Sequence, residues 1–367
     1  MNDKKKLAIV VSHPIQYYSP LFKILAKEIN LKVFYCFNPS PELQGKDGFG
    51  NEFNWDVDLL AGYEFEFLKN ISKFPSSSNK SGCDTPSIGD SLRYFGATHV
   101  VTFGWHLKSY QQVLKYCRQK KIPIAVRGDS IFDPSQSIFK KFIKSIYYPF
   151  FLRQYDAFLS VGQRNKEYLT RYGVPKEKII FSPHAVDQEF WGGDRITNKD
   201  YTFVWVAKFI PLKRVNDVIA AFLRLNKDYP GTCLKLIGTG QCQEEAIRQA
   251  KGNPKIEFKG FKNQRDLRNE YLSSNCLVLS SNSETWGLVV NEGFATGIPA
   301  IVSSACGCVP DLINSKTGRV FQHSDQNELY FAMKEMLDLR SFDFLEGIRE
   351  KNTKYSLSRN LKSFKEF

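Results

Sequence analysis

Glu284-Thr285-Trp286-Gly287-Leu288-Val289-Val290-Asn291-Glu292 is the stretch on which the reading of this chain turns. It follows an apolar run, residues 276–281, and opens a helical stretch that stops at Gly297-Ile298-Pro299. A buried strand, a short polar turn and a glycine at a helix start together make an anion site. The unpaired N–H groups of the first turn point outward there, and the helix dipole favours negative charge. Gly287, Leu288 and Val289 supply those N–H groups, and Gly287 has no Cβ to hold a phosphate away from the backbone. Glu284 and Glu292 would repel a phosphate unless they bind something else. Sugar and ribose hydroxyls fit, because an ionised carboxylate accepts strong hydrogen bonds from them. The plain alternative is that the two are a capping residue and a solvated helix residue.

Outward from this stretch, short β-rich runs alternate with amphipathic helical segments. The pattern predicts strands over 202–207, 233–238, 255–260, 276–281, 299–303 and 317–321, and in the first half over 7–11, 31–37, 64–68, 99–103, 122–127, 157–161 and 178–182. Helical stretches at 17–29, 106–120, 137–154, 163–172 and 213–227 lie between them. In the last of these, Val215, Val218, Ile219 and Phe222 recur at helical spacing. This is an α/β pattern of two doubly wound parallel sheets. A length of 367 residues exceeds one hydrophobic core, and 42% hydrophobic with 24% charged residues excludes wholesale disorder. Residues 38–62 and 74–90, rich in Pro, Gly, Ser and Asn, read as long loops. The eight cysteines show no zinc or disulfide spacing, which suggests reduced thiols in a cytoplasm. No apolar run is long enough to span a membrane.

Basic residues stand near the strand ends of the second half. Ala207-Lys208-Phe209-Ile210-Pro211-Leu212-Lys213-Arg214 leads from a strand into a helix, and ligands of open α/β sheets bind beyond the carboxyl ends of strands. Lys208 and Lys213 are therefore placed to meet phosphates, although basic residues near a helix start are often only surface. Gly238-Thr239-Gly240 is too short for a dinucleotide fingerprint and reads plainly as a tight turn with close backbone approach.

Together these motifs resemble the donor-binding domain of family 4 glycosyltransferases, which have the GT-B architecture: two Rossmann-like domains with a donor cleft between them. Lys208 stands at the Arg position and Lys213 at the Lys position of the family's basic element. Glu284 to Glu292 has the interval of its Glu-x7-Glu signature. Gly297-Ile298-Pro299-Ala300-Ile301 and Gly307-Cys308-Val309-Pro310-Asp311 are similar to its later elements, with Asp311 in place of Glu. The opening Ser12-His13-Pro14-Ile15-Gln16-Tyr17-Tyr18-Ser19-Pro20-Leu21 is similar to a subset of bacterial members, and His184-Ala185-Val186-Asp187 to the family's linker.

The resemblance implies a retaining, nucleotide-sugar-dependent transferase acting without a metal or other cofactor. Gly238, Gly240, Lys208, Lys213, Gly287, Leu288, Val289 and Glu292 would bind a UDP- or GDP-sugar, and Glu284 would contact the transferred sugar. The acceptor would be a glycan or lipid-linked sugar of bacterial surface polysaccharide synthesis, in the cytoplasm. Domains are expected at 1–185 (acceptor side) and 186–345 (nucleotide-sugar binding), with a helical segment over 346–367 packing back toward the first. Many members carry a His just after the strand that here continues Arg127-Gly128-Asp129-Ser130. Asp129, with His13 and His106 from two other strand ends, joins Glu284 as a catalytic candidate, while Arg127 and Tyr17 are assigned to the acceptor side. The rival readings are a sugar-nucleotide epimerase of the same architecture and a non-catalytic sugar-nucleotide-binding protein.

Charge adds a further expectation. The chain carries 51 Lys+Arg against 38 Asp+Glu, and residues 91–185 alone hold 16 against 5. An anionic partner should meet that segment. No nucleic-acid module is present, so nucleic acid is not expected. The run Phe139 to Arg153 mixes aromatics with lysines, either as a core helix with a solvated basic face or as an interfacial helix for an anionic membrane surface. Asp56-Val57-Asp58 mimics a metal-binding D-x-D, but in a loop, where no metal site is expected.

Overall fold

The computed structural model describes residues 5–40, 55–133 and 136–367. Among them, seven parallel strands form one sheet: β1 (Lys6–Val11), β2 (Asn30–Tyr35), β3 (Glu64–Phe67), β4 (His99–Phe103), β5 (Ile124–Gly128), β6 (Ala157–Ser160) and β7 (Ile179–Phe181). Their order is β3-β2-β1-β4-β5-β6-β7. Six more, β8 (Tyr201–Val206), β9 (Thr232–Ile237), β10 (Ile256–Gly260), β11 (Cys276–Leu279), β12 (Ala300–Ser303) and β13 (Gly318–Phe321), form a second parallel sheet. Its order is β10-β9-β8-β11-β12-β13. Every expected strand segment forms. The order reverses between β1 and β4 in one sheet and between β8 and β11 in the other, and such switch points open a crevice at the strand ends.

Burial on both faces explains why the strands read as near-continuous apolar runs. Along β1, Leu7, Ile9 and Val11 pack with Phe22, Leu25 and Tyr35 on one side of the sheet. Ala8 and Val10 pack with Phe34, Val100 and Leu114 on the other. Each such side chain withdrawn from water contributes about 1.5–3 kcal/mol. In the second sheet, the helix Val215–Asp228 buries Val215, Val218, Ile219 and Phe222, the stripe its spacing predicts.

The chain falls into two compact units. One comprises the residues up to Pro39, Asp58–His184 and Leu357–Phe367; the other is Ala185–Ser356 with the described residues of 40–57. The helix Leu345–Lys354 stays with the second unit, and the return to the first comes only with the helix Leu357–Glu366. Within the stretch read as the loop 74–90, a helix begins at Ile88 and runs to Phe95. Ile88 and Leu92 give it a buried edge, and Gly96, at φ +73°, ends it. Of the other long loop, residues 41–54 lie outside the described residues.

Gly238 and Gly240 have backbone reasons for being glycine. They lie at φ +131° and +148°. A Cβ on Gly238 would stand 1.9 Å from the Ala207 carbonyl oxygen, and one on Gly240 would stand 2.7 Å from that of Phe209. The turn is thereby pressed onto the end of β8. Gly238→Ala should lower unfolding stability by about 1–3 kcal/mol, the scale of backbone strain, read from the midpoint of a urea titration. An unchanged midpoint would count against this packing role.

Candidate active site

In the second unit, two strand ends bring a lysine and a glutamate together. Beyond β8 the chain turns through a short 3₁₀ segment, Pro211–Lys213, and Arg214 adopts φ +55°. That turn is fixed by backbone and side-chain bonds. The Phe209 N–H donates to the Thr239 carbonyl (2.8 Å). The Ser280 hydroxyl donates to the Lys213 carbonyl (2.7 Å) and accepts from Trp205 Nε1 (3.0 Å).

Beyond β11, the Gly307 N–H donates to the Glu284 carbonyl (2.9 Å) and the Cys308 N–H to that of Trp286 (3.0 Å). Only glycine fits at 307, because a Cβ would lie 1.9 Å from the Thr285 oxygen. With both loops held, Lys213 Nζ donates to Glu284 Oε2 in a half-buried ion pair. Gly287, at φ +106°, then starts the helix Leu288–Ala295, so no side chain of the cap residue folds over its first turn. Lys213, Glu284 and the Gly287–Val289 amides thus share two neighbouring strand ends of one sheet. Lys208 lies half-buried on the same turn as Lys213.

Glu292 sits one helical turn beyond Leu288. Its Oε2 accepts a hydrogen bond from the fully buried Tyr271 hydroxyl (2.9 Å). Burial pushes its carboxyl pKa up to about 7, and the Tyr271 bond offsets only part of that. Glu292 is therefore not the solvated helix residue of the plain reading. Asp311 is buried too, and its Oδ1 accepts from the Tyr355 hydroxyl (2.8 Å).

In the first unit the structure gathers some of the expected residues and disperses others. Arg127 is 2% exposed, and its guanidinium lies 5.5 Å from the ring centres of both Tyr18 and Phe103. Its Nη2 donates to the Pro183 carbonyl (2.9 Å), while Nε and Nη1 have no hydrogen-bond acceptor among the described residues. Arg127, expected on the acceptor side, is thus a buried post. It holds the turn after β7, which Asn360 Nδ2 also grips through the same carbonyl (3.0 Å).

That turn delivers His184, whose Nε2 lies 3.8 Å from Asp129 Oδ2. Asp129 is half exposed and His184 buried. Burial depresses the His184 pKa; Asp129 opposes the shift and the Arg127 charge adds to it. Tyr17 packs edge-on to His184, with ring centres 6.1 Å apart. His13 and His106 go elsewhere. His13 Nδ1 meets the Ser12 hydroxyl (3.0 Å) and its ring packs on Phe37. The exposed His106 pairs through Nε2 with the Ser77 carbonyl (2.9 Å). The sequence reading missed His184 as a site residue, although a His directly after the last strand of a parallel sheet was a usable signal.

Among the described residues, no group of three or more His, Cys, Asp or Glu side chains could hold a metal ion. The carboxylates of the D-x-D stretch meet backbone amides instead: Asp56 accepts from the N–H groups of Gln264 and Arg265, and Asp58 from those of Leu60 and Ala61.

Two open parallel sheets, with the candidate residues at their carboxyl ends, define a pair of Rossmann-like domains. Over 98% of its length the chain resembles Anabaena HepE, solved in complex with UDP, with a TM-score of 0.74, 10% identity and 98% of that chain covered. Over 99% of its length it resembles a glycosyltransferase of Rickettsia africae, with a TM-score of 0.72, 15% identity and 97% of that chain covered. The fold is therefore GT-B. Glycogen synthase of Mycobacterium tuberculosis is 28% identical over 193 residues, 51% of this chain and 47% of that protein. The chain thus matches about half the length of this curated relative. Residues 188–355 match the family model of glycosyl transferases group 1.

The raised pKa of Glu292 has a consequence for stability. A carboxyl held near 7 in the fold and near 4.5 when unfolded favours folding while protonated; that benefit is lost as pH rises between the two values. Glu292→Gln should therefore raise the Tm of the free protein at pH 8 and leave it nearly unchanged at pH 4.5. Equal shifts at both pH values in a thermal melt would contradict this.

Proposed function

We propose that the protein transfers a sugar from a UDP- or GDP-sugar to a hydroxyl of a glycan or lipid-linked acceptor in bacterial surface polysaccharide synthesis. On this reading transfer retains the anomeric configuration and needs no metal ion. The observation that carries it is the juxtaposition of Lys213, Glu284 and the glycine-started helix inside a group 1 glycosyl transferase domain. The HepE structure with UDP supports the choice of nucleotide.

The chemistry follows from charge. The diphosphate would lie against the Gly287–Val289 amides and draw on Lys208 and Lys213, so Lys213 would exchange part of its bond with Glu284 for phosphate oxygens. Glu284, so freed, would accept hydroxyls of the transferred sugar, and ionised Glu292 those of the ribose. The bond from the anomeric carbon to the diphosphate oxygen breaks, and its electron pair leaves with the diphosphate. The acceptor oxygen bonds that carbon, and its proton departs on the diphosphate. Preorganised lysine and amide charge stabilises the leaving group in the place a metal ion would otherwise take. Asp129, oriented by His184, would position the acceptor hydroxyl. The relatives named above lend no support to the epimerase or to the non-catalytic binder.

Three measurements test this reading. Glu292→Ala should weaken UDP binding by about 1.5–3 kcal/mol, the scale of a charged hydrogen bond; unchanged affinity in the folded variant would remove Glu292 from the donor site. Transfer from a UDP-sugar should persist in excess EDTA, and metal-reversible loss would refute metal-independent transfer. Asp129→Asn should depress turnover and leave UDP affinity intact, whereas lost UDP affinity would place Asp129 with the donor.

A further inference from the structure

The helix Ile138–Leu152 in the first unit faces the wrong way for a core helix. Its outward stripe is apolar: Ile138, Phe139, Phe142, Ile143, Ile146 and Phe150 are all exposed, from 47% at Ile143 to 85% at Ile138. Their i, i+4 and i, i+3 spacing places them on one face. The side turned to the protein holds Lys141 and Lys144, half-buried, with their ammonium groups 5.2 Å from the Phe132 ring and 5.7 Å from the Tyr148 ring. Among residues 138–152 only Phe151 and Leu152 are buried. Leaving so many large apolar groups in water forfeits the favourable free energy that their burial would bring. Contiguous apolar patches of this kind mark interaction sites.

The charge around the stripe selects the partner. The helix carries Lys140, Lys141 and Lys144 with no acidic residue, Arg153 follows, and residues 91–185 hold 16 basic against 5 acidic groups. Aromatic and branched side chains flanked by lysines fit the boundary where acyl chains meet anionic headgroups. A second protein surface would not need the surrounding excess of positive charge. We infer that the outward face of the helix 138–152 inserts shallowly into a bilayer of anionic phospholipid and holds the protein there as a peripheral membrane protein. Fifteen residues at about 1.5 Å each reach about 22 Å, short of the roughly 30 Å of a hydrocarbon core. The helix therefore lies in the interface. Among the described residues no helix is long and apolar enough to cross a membrane. The donor residues belong to the other unit, so lipid binding and donor binding fail separately.

The test is co-sedimentation of the full chain with vesicles of phosphatidylglycerol mixed into phosphatidylcholine, against phosphatidylcholine alone. At about 0.1 M salt, where the Debye length is about 10 Å, the protein should partition at least about ten-fold better onto the anionic vesicles. It should be largely released at about 1 M, where that length is about 3 Å. The triple variant Phe139→Ser, Phe142→Ser, Ile143→Ser should lose about ten-fold in partitioning while its thermal shift with UDP stays unchanged. Lys140→Glu with Arg153→Glu should weaken binding at low salt. Phe142→Trp, which needs no loss of apolar surface, should shift its fluorescence to the blue on anionic vesicles. Wild type that ignores anionic vesicles, a triple variant that binds as wild type does, or an unshifted emission from the Phe142→Trp variant would each overturn membrane docking. So would light scattering that shows a dimer which the triple variant splits into monomers. Intact vesicle binding with no UDP shift would sink the donor reading alone.

Discussion

The bond between Lys213 and Glu284 is the interaction on which the second unit's site depends. Each side chain stands on a short turn held by neutral hydrogen bonds, which sets where it can reach. The Ser280 hydroxyl grips one turn and the Gly307 and Cys308 amides grip the other. A half-buried pair of this kind is poor evidence of stability, since removing two charges from water costs much of what their attraction returns. Its value lies in placement. On the proposed reading, a diphosphate would enter beside the first turn of the helix by substitution for part of this pair, without water having to reorganise around a lone lysine.

Glu292 shows the complementary compromise. A carboxyl surrounded by protein resists ionisation, and its pKa of about 7 leaves it divided between two forms at neutral pH. Tyr271, fully buried, supplies the hydrogen bond that keeps the ionised form within reach. An acid poised in this way accepts hydroxyl donors well only once it is ionised. Stability of the empty protein and affinity for a hydroxylated ligand therefore pull this residue in opposite directions, as is common where a site holds strain that the rest of the fold must offset.

Most of the architecture could be read from the sequence because a parallel strand buried on both faces has few ways to be written. All thirteen strand segments stand where short apolar runs alternate with helical spacing. The helix Ile88–Phe95 was hidden by the Ser- and Pro-rich residues before it, and its buried edge of Ile88 and Leu92 is too brief to register as a period. Gly238 and Gly240 were legible as a turn, and the backbone confirms that reading; their assignment to a ligand rested on resemblance. His184 was read only as part of the linker because its neighbour, Asp129, is distant in sequence. Only the closing of β7 beside β6, the grip of Arg127 on Pro183 and the return of Asn360 from the C-terminal helix place the imidazole there.

The helix Ile138–Leu152 marks the point at which periodicity alone must fail. A hydrophobic stripe states that one face should leave water and says nothing of what receives it. The neighbouring rings decided the matter. Phe132 and Tyr148 offer π faces to the ammonium groups of Lys141 and Lys144, and the long lysine stems cover apolar surface. Once the lysines lie inward, helical geometry sends Phe139, Phe142 and Ile146 outward, and no rotation of the helix can bury both sets. A core helix could have been built from the same composition with the lysines moved by two positions. Instead the arrangement sets an apolar stripe within the most basic segment of the chain, and the proposed membrane docking rests on that pairing of wet apolar surface with positive charge.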